Sequence, residues 1–257
     1  MLVVNKGGQL FVFDDPDGDN SYSVKTEALD LTPAMCINGE RGMQGIAVHP
    51  DFENTRFIYI YYNVNKNGNC NEDPDNGPVN RLSRFVLSTS NTVDIKSETV
   101  LFETPSLEYD HHNSGDIAFG NDGYLYVSIG DGGSTWRAVS SNPGNLLGSI
   151  VRLTADGGIP EDNPYTPQSG EANSVRCNAT GVPSSGSPQG AKCQEIFHIG
   201  LRNPFRFAID PNVLDKVRFY ISDVGQGLWE EINEGCVIKH FFSLVARLSI
   251  FEFWHVS

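Results

Sequence analysis

The chain is short of basic residues, of uncharged apolar runs and of metal-type cysteine spacing, and each shortage weakens a class of function. Its 257 residues carry 18 lysines and arginines against 32 acids, a formal net charge of −14. A surface of that sign repels phosphate backbones, which argues against nucleic acid as a partner. It attracts cations, calcium among them. The most apolar stretch, Cys236 to Ser257, is interrupted by Lys239, Arg247 and Glu252 and is not read as a membrane span. No CxxC or paired Cys/His spacing points to zinc. Met1-Leu2-Val3-Val4 is too short for the apolar core of a signal peptide. Sustained helical periodicity is missing as well, outside that tail.

What is abundant is turn chemistry, with 26 glycines and 14 prolines. They favour short strands joined by tight turns. Of five cysteines, Cys177 and Cys193 bracket a loop rich in Gly, Ser and Pro, which predicts a disulfide. Asn178-Ala179-Thr180 beside it is an N-glycosylation sequon. Together they favour an oxidising, secretory compartment and hence a secreted, extracellular parent protein, with a protein that is not secreted as the alternative.

One pattern is written three times. Gly45-Ile46-Ala47-Val48-His49-Pro50-Asp51 leads to Phe57-Ile58-Tyr59-Ile60-Tyr61, and Asp116-Ile117-Ala118-Phe119 leads through Gly120-Asn121-Asp122-Gly123 to Tyr124-Leu125-Tyr126-Val127. Arg206-Phe207-Ala208-Ile209 leads through Asp210-Pro211-Asn212 to Phe219-Tyr220-Ile221. Each reads as a strand centred on alanine, a turn, then an aromatic and β-branched strand. Further strands are expected at Gln9–Phe13, Arg81–Leu87, Val100–Glu103 and Ser149–Leu153. A hairpin that recurs with extra strands in each interval predicts an all-β chain built as a β-propeller, with a β-sandwich as the alternative. Residues 1–235 carry this grammar. The tail, 236–257, contains no glycine or proline and reads as a terminal helix or an aberrant end.

The chemistry concentrates at Tyr109-Asp110-His111-His112-Asn113-Ser114-Gly115 and at Gly130-Asp131-Gly132-Gly133. The middle hairpin starts at the first and returns to the second, so its closure would bring His112 and Asp131 to one rim. An imidazole held by a carboxylate is what a general base requires. The competing roles are a histidine that only ties its loop and an aspartate that only caps turn amides. Arg202-Asn203-Pro204 sets a planar cation in a rigid loop, suited to an anionic ligand, or to bridging carbonyls between blades. Asp223-Val224-Gly225-Gln226 can present bare carbonyls to a hard cation. His49 reads as part of a turn, His198 as a core or rim histidine, and Arg206 as structural.

In order and spacing these elements, with Glu40-Arg41-Gly42-Met43-Gln44-Gly45 and Trp229-Glu230-Glu231, resemble the glucose/sorbosone dehydrogenase family. These are six-bladed propellers that include soluble sugar dehydrogenases using pyrroloquinoline quinone (PQQ). The resemblance spans roughly Gly7 to Gly235 and implies a six-bladed type truncated to about four blades. It implies oxidation of a sugar CH–OH group by hydride transfer to PQQ, with His112 as base and Asp131 orienting it. Arg202, Asn203 and Glu40 would face the cofactor or substrate. Gly225 and Gln226 would offer carbonyls to calcium, and Glu231 would belong to a second, structural calcium site. His111 would point away, and Asp116, where relatives often place Arg or Gln, would add negative charge near the site. The Glu40-Arg41-Gly42 version is also similar to the hedgehog-interacting-protein branch, which implies a second outcome: a secreted propeller that binds a protein partner without redox chemistry. A third outcome is an inactive truncated product.

Overall fold

A computed structural model describes every residue except 16, 17, 20, 23, 67, 74, 134–136, 214–216, 227, 228, 239, 240, 243–246 and 252–257. Four antiparallel sheets follow one another along the chain. The first is formed by β1 (Leu2–Val4), β2 (Gln9–Asp14) and β3 (Val24–Asp30), the second by β4 (Met43–Val48), β5 (Phe57–Val64), β6 (Val79–Val86) and β7 (Thr99–Glu103). The third takes β8 (Ser114–Phe119), β9 (Leu125–Ile129) and β10 (Ser149–Leu153). A long excursion holding the two-residue strands β11 (Ser174–Val175) and β12 (Lys192–Cys193) then precedes its fourth strand, β13 (Ile196–Ile199). The last sheet is β14 (Pro204–Ile209), β15 (Arg218–Asp223), β16 (Trp229–Ile238), β17 (Phe241–Phe242) and β18 (Arg247–Phe251). The chain is thus all-β and of β-propeller type, in four blades.

Strand periodicity explains how the blades stack. Successive side chains of a strand leave on opposite faces. In β5, Ile58, Ile60 and Tyr62 join Leu10 and Val12 of the first sheet in one core. Tyr59 and Tyr61 point the other way and join Leu125, Val127 and Ile129 of the third sheet. Ile150 of β10 turns toward Phe207, Phe219 and Ile221 of the last sheet. Middle strands such as β5 are therefore apolar on both faces, and the cores lie between blades. The inner strands β4, β8 and β14 pack side by side and form the rim that carries the candidate site.

The three repeated alanines have one structural reason. Ala47 stands opposite Tyr59, Ala118 opposite Tyr126 and Ala208 opposite Tyr220 in their hairpins. A methyl group leaves room for the ring beside it. Tyr59 meets Phe119 of the next blade edge-on at 5.1 Å, and Tyr126 meets Phe219 of the next blade at 5.9 Å. Such pairs add about 0.5–1.5 kcal/mol beyond burial. Tyr220, the third copy, is 40% exposed, because no described blade covers that face.

Two disulfides fix the loops. Cys177–Cys193 forms as expected, and Cys36–Cys70, 34 residues apart, joins two loops whose pairing the spacing does not reveal. Beside the latter, the fully buried Arg41 donates to the Cys70 carbonyl at 2.8 Å and the Tyr109 carbonyl at 2.9 Å. The tail departs from the helical expectation: its described backbone is strand, with β17 and β18 both pairing with β16. Its dense Val, Ile and Phe content suits a pleated surface.

Candidate functional site

The hairpin of β8 and β9 pairs Ser114 with Ile129, which sets the residues before Ser114 beside those after Ile129. His112 Nδ1 lies 2.7 Å from Asp131 Oδ1, and both side chains are only 11% exposed. The turn that presents His112 is unusual, with left-handed φ of 57° at His112 and 51° at Ser114. Each such conformation costs about 1–3 kcal/mol and persists only where its surroundings over-determine it. Here the His112 amide donates to Glu40 Oε2 at 2.7 Å, its carbonyl accepts from Gly132 N at 3.3 Å, and Asn113 Oδ1 accepts from Asn63 Nδ2 at 3.0 Å. Gly130 must be glycine, since a Cβ there would lie 2.0 Å from the His112 carbonyl oxygen.

Asp131 is fastened too. Its Oδ1 accepts from Gly133 N at 3.0 Å, and its amide donates to the Arg202 carbonyl at 2.8 Å. A carboxylate on Nδ1 selects the imidazole tautomer with its proton there, which leaves the Nε2 lone pair as an acceptor. No described group bonds Nε2. His111 does not turn away as expected. Its ring packs edge-on against His112 at 4.7 Å, with Nδ1 3.6 Å from Asp110 Oδ1.

The Arg202–Asn203 loop reaches the same point from the last sheet. Both of its amides donate to Asp223, at 3.0 and 2.7 Å. Burial lifts the Asp223 carboxyl above its ordinary value; the two amides oppose this, and Glu231, its register partner, adds to it. Arg202 Nη1 donates to the Val224 carbonyl at 2.9 Å. Asn203 Oδ1 accepts from Ser114 Oγ at 2.8 Å, and its Nδ2 donates to Glu40 Oε2 at 3.4 Å. Glu40 thereby ties the histidine turn to the asparagine. Ser114 and Asn113 are links that their motif positions alone do not assign; the signal for them is their place directly after His112.

Gly225 N donates to Glu230 Oε2 at 3.0 Å, while no described donor occupies the carbonyls of Gly225 or Gln226. The structure therefore brings His112, Asp131, Asn203 and Glu40 into one hydrogen-bonded network, with Arg202 joined to it through its backbone. Gly225, Gln226 and Glu231 stand at the adjoining turn and strand.

Asp116 has a structural partner. Its Oδ2 accepts from Phe207 N at 2.9 Å, so its side chain links β8 to β14. Burial raises its carboxyl above the usual range. Arg206 is exposed and donates to its own neighbour's carbonyl, Phe205, at 2.7 Å. His49 accepts from Asp51 N at 3.0 Å and so closes its turn, and burial lowers the His198 pKa as for a packed histidine. His240 and His255 lie outside the described residues.

Comparison with known proteins places this arrangement. The Glucose / Sorbosone dehydrogenase family pattern matches residues 1–175. The HIPL2 protein of Arabidopsis thaliana is 30% identical over 89% of this chain and 37% of its own length. The hedgehog-interacting protein of Homo sapiens is 28% identical over 84% of this chain and 29% of its own. Among solved structures, the PQQ-bound form of an aldose sugar dehydrogenase from Streptomyces coelicolor superposes with a TM-score of 0.63 at 25% identity. That match covers 90% of this chain and 55% of the other. The chain spans about a third to a half of the length of these relatives. By the extent of the family match, the chain belongs to the glucose/sorbosone dehydrogenase family.

Proposed function

We propose that this chain carries the base-bearing part of a PQQ-dependent oxidoreductase that oxidises a sugar CH–OH group. The observation that carries the reading is the buried His112–Asp131 pair, joined through Glu40 and Ser114 to the Arg202–Asn203 loop.

The donor set suits the cofactor in one respect and constrains it in another. Arg202 uses only Nη1 among its guanidinium donors on described groups, which leaves N–H groups for a carboxylate or quinone oxygen. The carboxylates of Glu40 and Asp131 oppose an anionic ligand, so a divalent cation must offset them. The carbonyls of Gly225 and Gln226, which accept from no described donor, are the hard oxygen donors calcium takes, and Glu231 would serve a second, structural calcium. Bound there, the quinone supplies the hydride acceptor and calcium a Lewis acid.

The chain's own residues handle the proton. His112 Nε2 takes the substrate hydroxyl proton as the carbon gives up its hydride. Asp131 keeps the ring in that tautomer and stabilises the imidazolium that forms. Arg202 and Asn203 hold the cofactor, and burial of His112 and Asp131 keeps bulk water off the base. Reconstitution with PQQ and calcium, followed by dye reduction with aldoses, tests this. His112→Gln should abolish turnover and leave quinone binding intact; loss of both together would remove the base assignment.

Glu40 favours a second reading. A carboxylate beside the ligand position suits a secreted propeller that binds a protein partner without a quinone, as the similarity to the hedgehog-interacting protein invites. Two disulfides support passage through an oxidising compartment on either reading. Absence of quinone binding with calcium present would decide for the binder.

A further inference from the structure

We propose that Asn178 is an N-linked glycosylation site, with the glycan on the outer rim of the propeller, away from the candidate active site. Asn178-Ala179-Thr180 is the single Asn-x-Ser/Thr sequon in the 257 residues. A sequon alone is weak, because many are buried or fixed in strands. This one lies on the crown of a turn closed by the Gly181 amide donating to the Cys177 carbonyl at 2.7 Å. Ala179 and Thr180 are exposed, and the Asn178 side-chain amide bonds no described group. Asn178 itself is half-buried, and its reacting nitrogen is uncommitted among the described residues.

The disulfide beside it supplies the compartment. Cys177 is bonded to Cys193, and the chain holds a second disulfide at Cys36–Cys70, so the fold is assembled where thiols oxidise. In eukaryotic secretion that is also where a lipid-linked oligosaccharide is the donor. The Asn178 Nδ2 attacks the anomeric carbon of that donor. An N–C bond forms, the anomeric C–O bond breaks with its electron pair leaving on the lipid pyrophosphate, and one amide proton passes to a base of the transferase.

The position of the turn sets where the glycan goes. The Asn178 carbonyl accepts from Glu103 N at 2.9 Å, and Glu103 ends β7, the strand of its blade farthest from β4. His112 precedes β8, an innermost strand. Glycan and base are thus at opposite edges of the blades.

The test is secretion of this chain from eukaryotic cells behind a heterologous signal peptide. Peptide mapping should show one N-glycan at Asn178, removed by peptide:N-glycosidase with conversion of the asparagine to aspartate. Asn178→Gln and Thr180→Ala should both lose the mass increment, while Thr180→Ser keeps it. Should Asn178→Gln fail to be secreted, Thr180→Ala against Thr180→Ser still decides. An unmodified Asn178 in secreted, disulfide-bonded chain overturns the proposal, as does a glycan that survives Thr180→Ala.

Discussion

His112 Nδ1 and Asp131 Oδ1 face each other at 2.7 Å, across a hairpin whose first residues adopt left-handed backbone to make the contact. Asp131→Asn keeps the shape and presents the wrong partner to Nδ1. On the proposed reading, dye reduction by the reconstituted chain should fall by about 10²–10⁴-fold, with quinone affinity unchanged. An equal loss of quinone affinity would show that Asp131 builds the pocket instead.

Glu40 holds two elements at once, the His112 amide at 2.7 Å and Asn203 Nδ2 at 3.4 Å. Glu40→Ala leaves the buried Asn203 without one of its acceptors and should destabilise the fold by about 1–3 kcal/mol in urea titration. Glu40→Gln keeps an acceptor oxygen and removes the charge. It should stay near wild-type stability and bind the anionic quinone more tightly; weaker binding would mean the carboxylate itself contacts the ligand.

Asp116 links stability to pH. Burial raises its carboxyl above the ordinary 3.8, so in the window between that value and the raised one the folded state holds a proton the unfolded state has lost. Stability falls as pH rises through this window, and the penalty is complete above it. Asp116→Asn keeps an acceptor for Phe207 N and removes the buried charge. The variant should melt higher than wild type at neutral pH, and the gain should vanish below pH 3.8. A lower melting temperature at neutral pH would show that the charged acceptor outweighs its burial.

The disulfides should differ in weight. Loop closure over a separation of 34 residues at Cys36–Cys70 is worth about 4 kcal/mol, and over 16 at Cys177–Cys193 about 3 kcal/mol. Paired Cys→Ser variants compared by urea unfolding should rank in that order. The reverse ranking would place the main restraint in the glycine-rich excursion after β10.

The three hairpins were legible because a small residue opposite a tyrosine, followed by a turn, is a local pattern. Ala47, Ala118 and Ala208 fell where they were expected to. The meeting of His112 and Asp131 was legible for the same reason, being 19 residues apart within one hairpin. Contacts between blades were not. Asp116 and Phe207 are 91 residues apart, and Cys36 finds Cys70 only once the loop from β5 to β6 is placed. The place of His111 beside His112 was not legible either, because the backbone turns left-handed at the next residue. For the tail, a helix was one of two alternatives, because Val, Ile and Phe without turn residues look alike in a buried helix and a strand.

On the proposed reading, the Arg202–Asn203 loop and the Gly225–Gln226 turn hold a quinone with calcium beside His112. Titration of PQQ into the chain, followed by its absorbance with calcium or with chelator, measures this directly. Saturable binding at one site is expected, requiring calcium, weakening on Arg202→Ala and surviving His112→Gln. No saturable binding with calcium present, or binding indifferent to both calcium and Arg202, would contradict it.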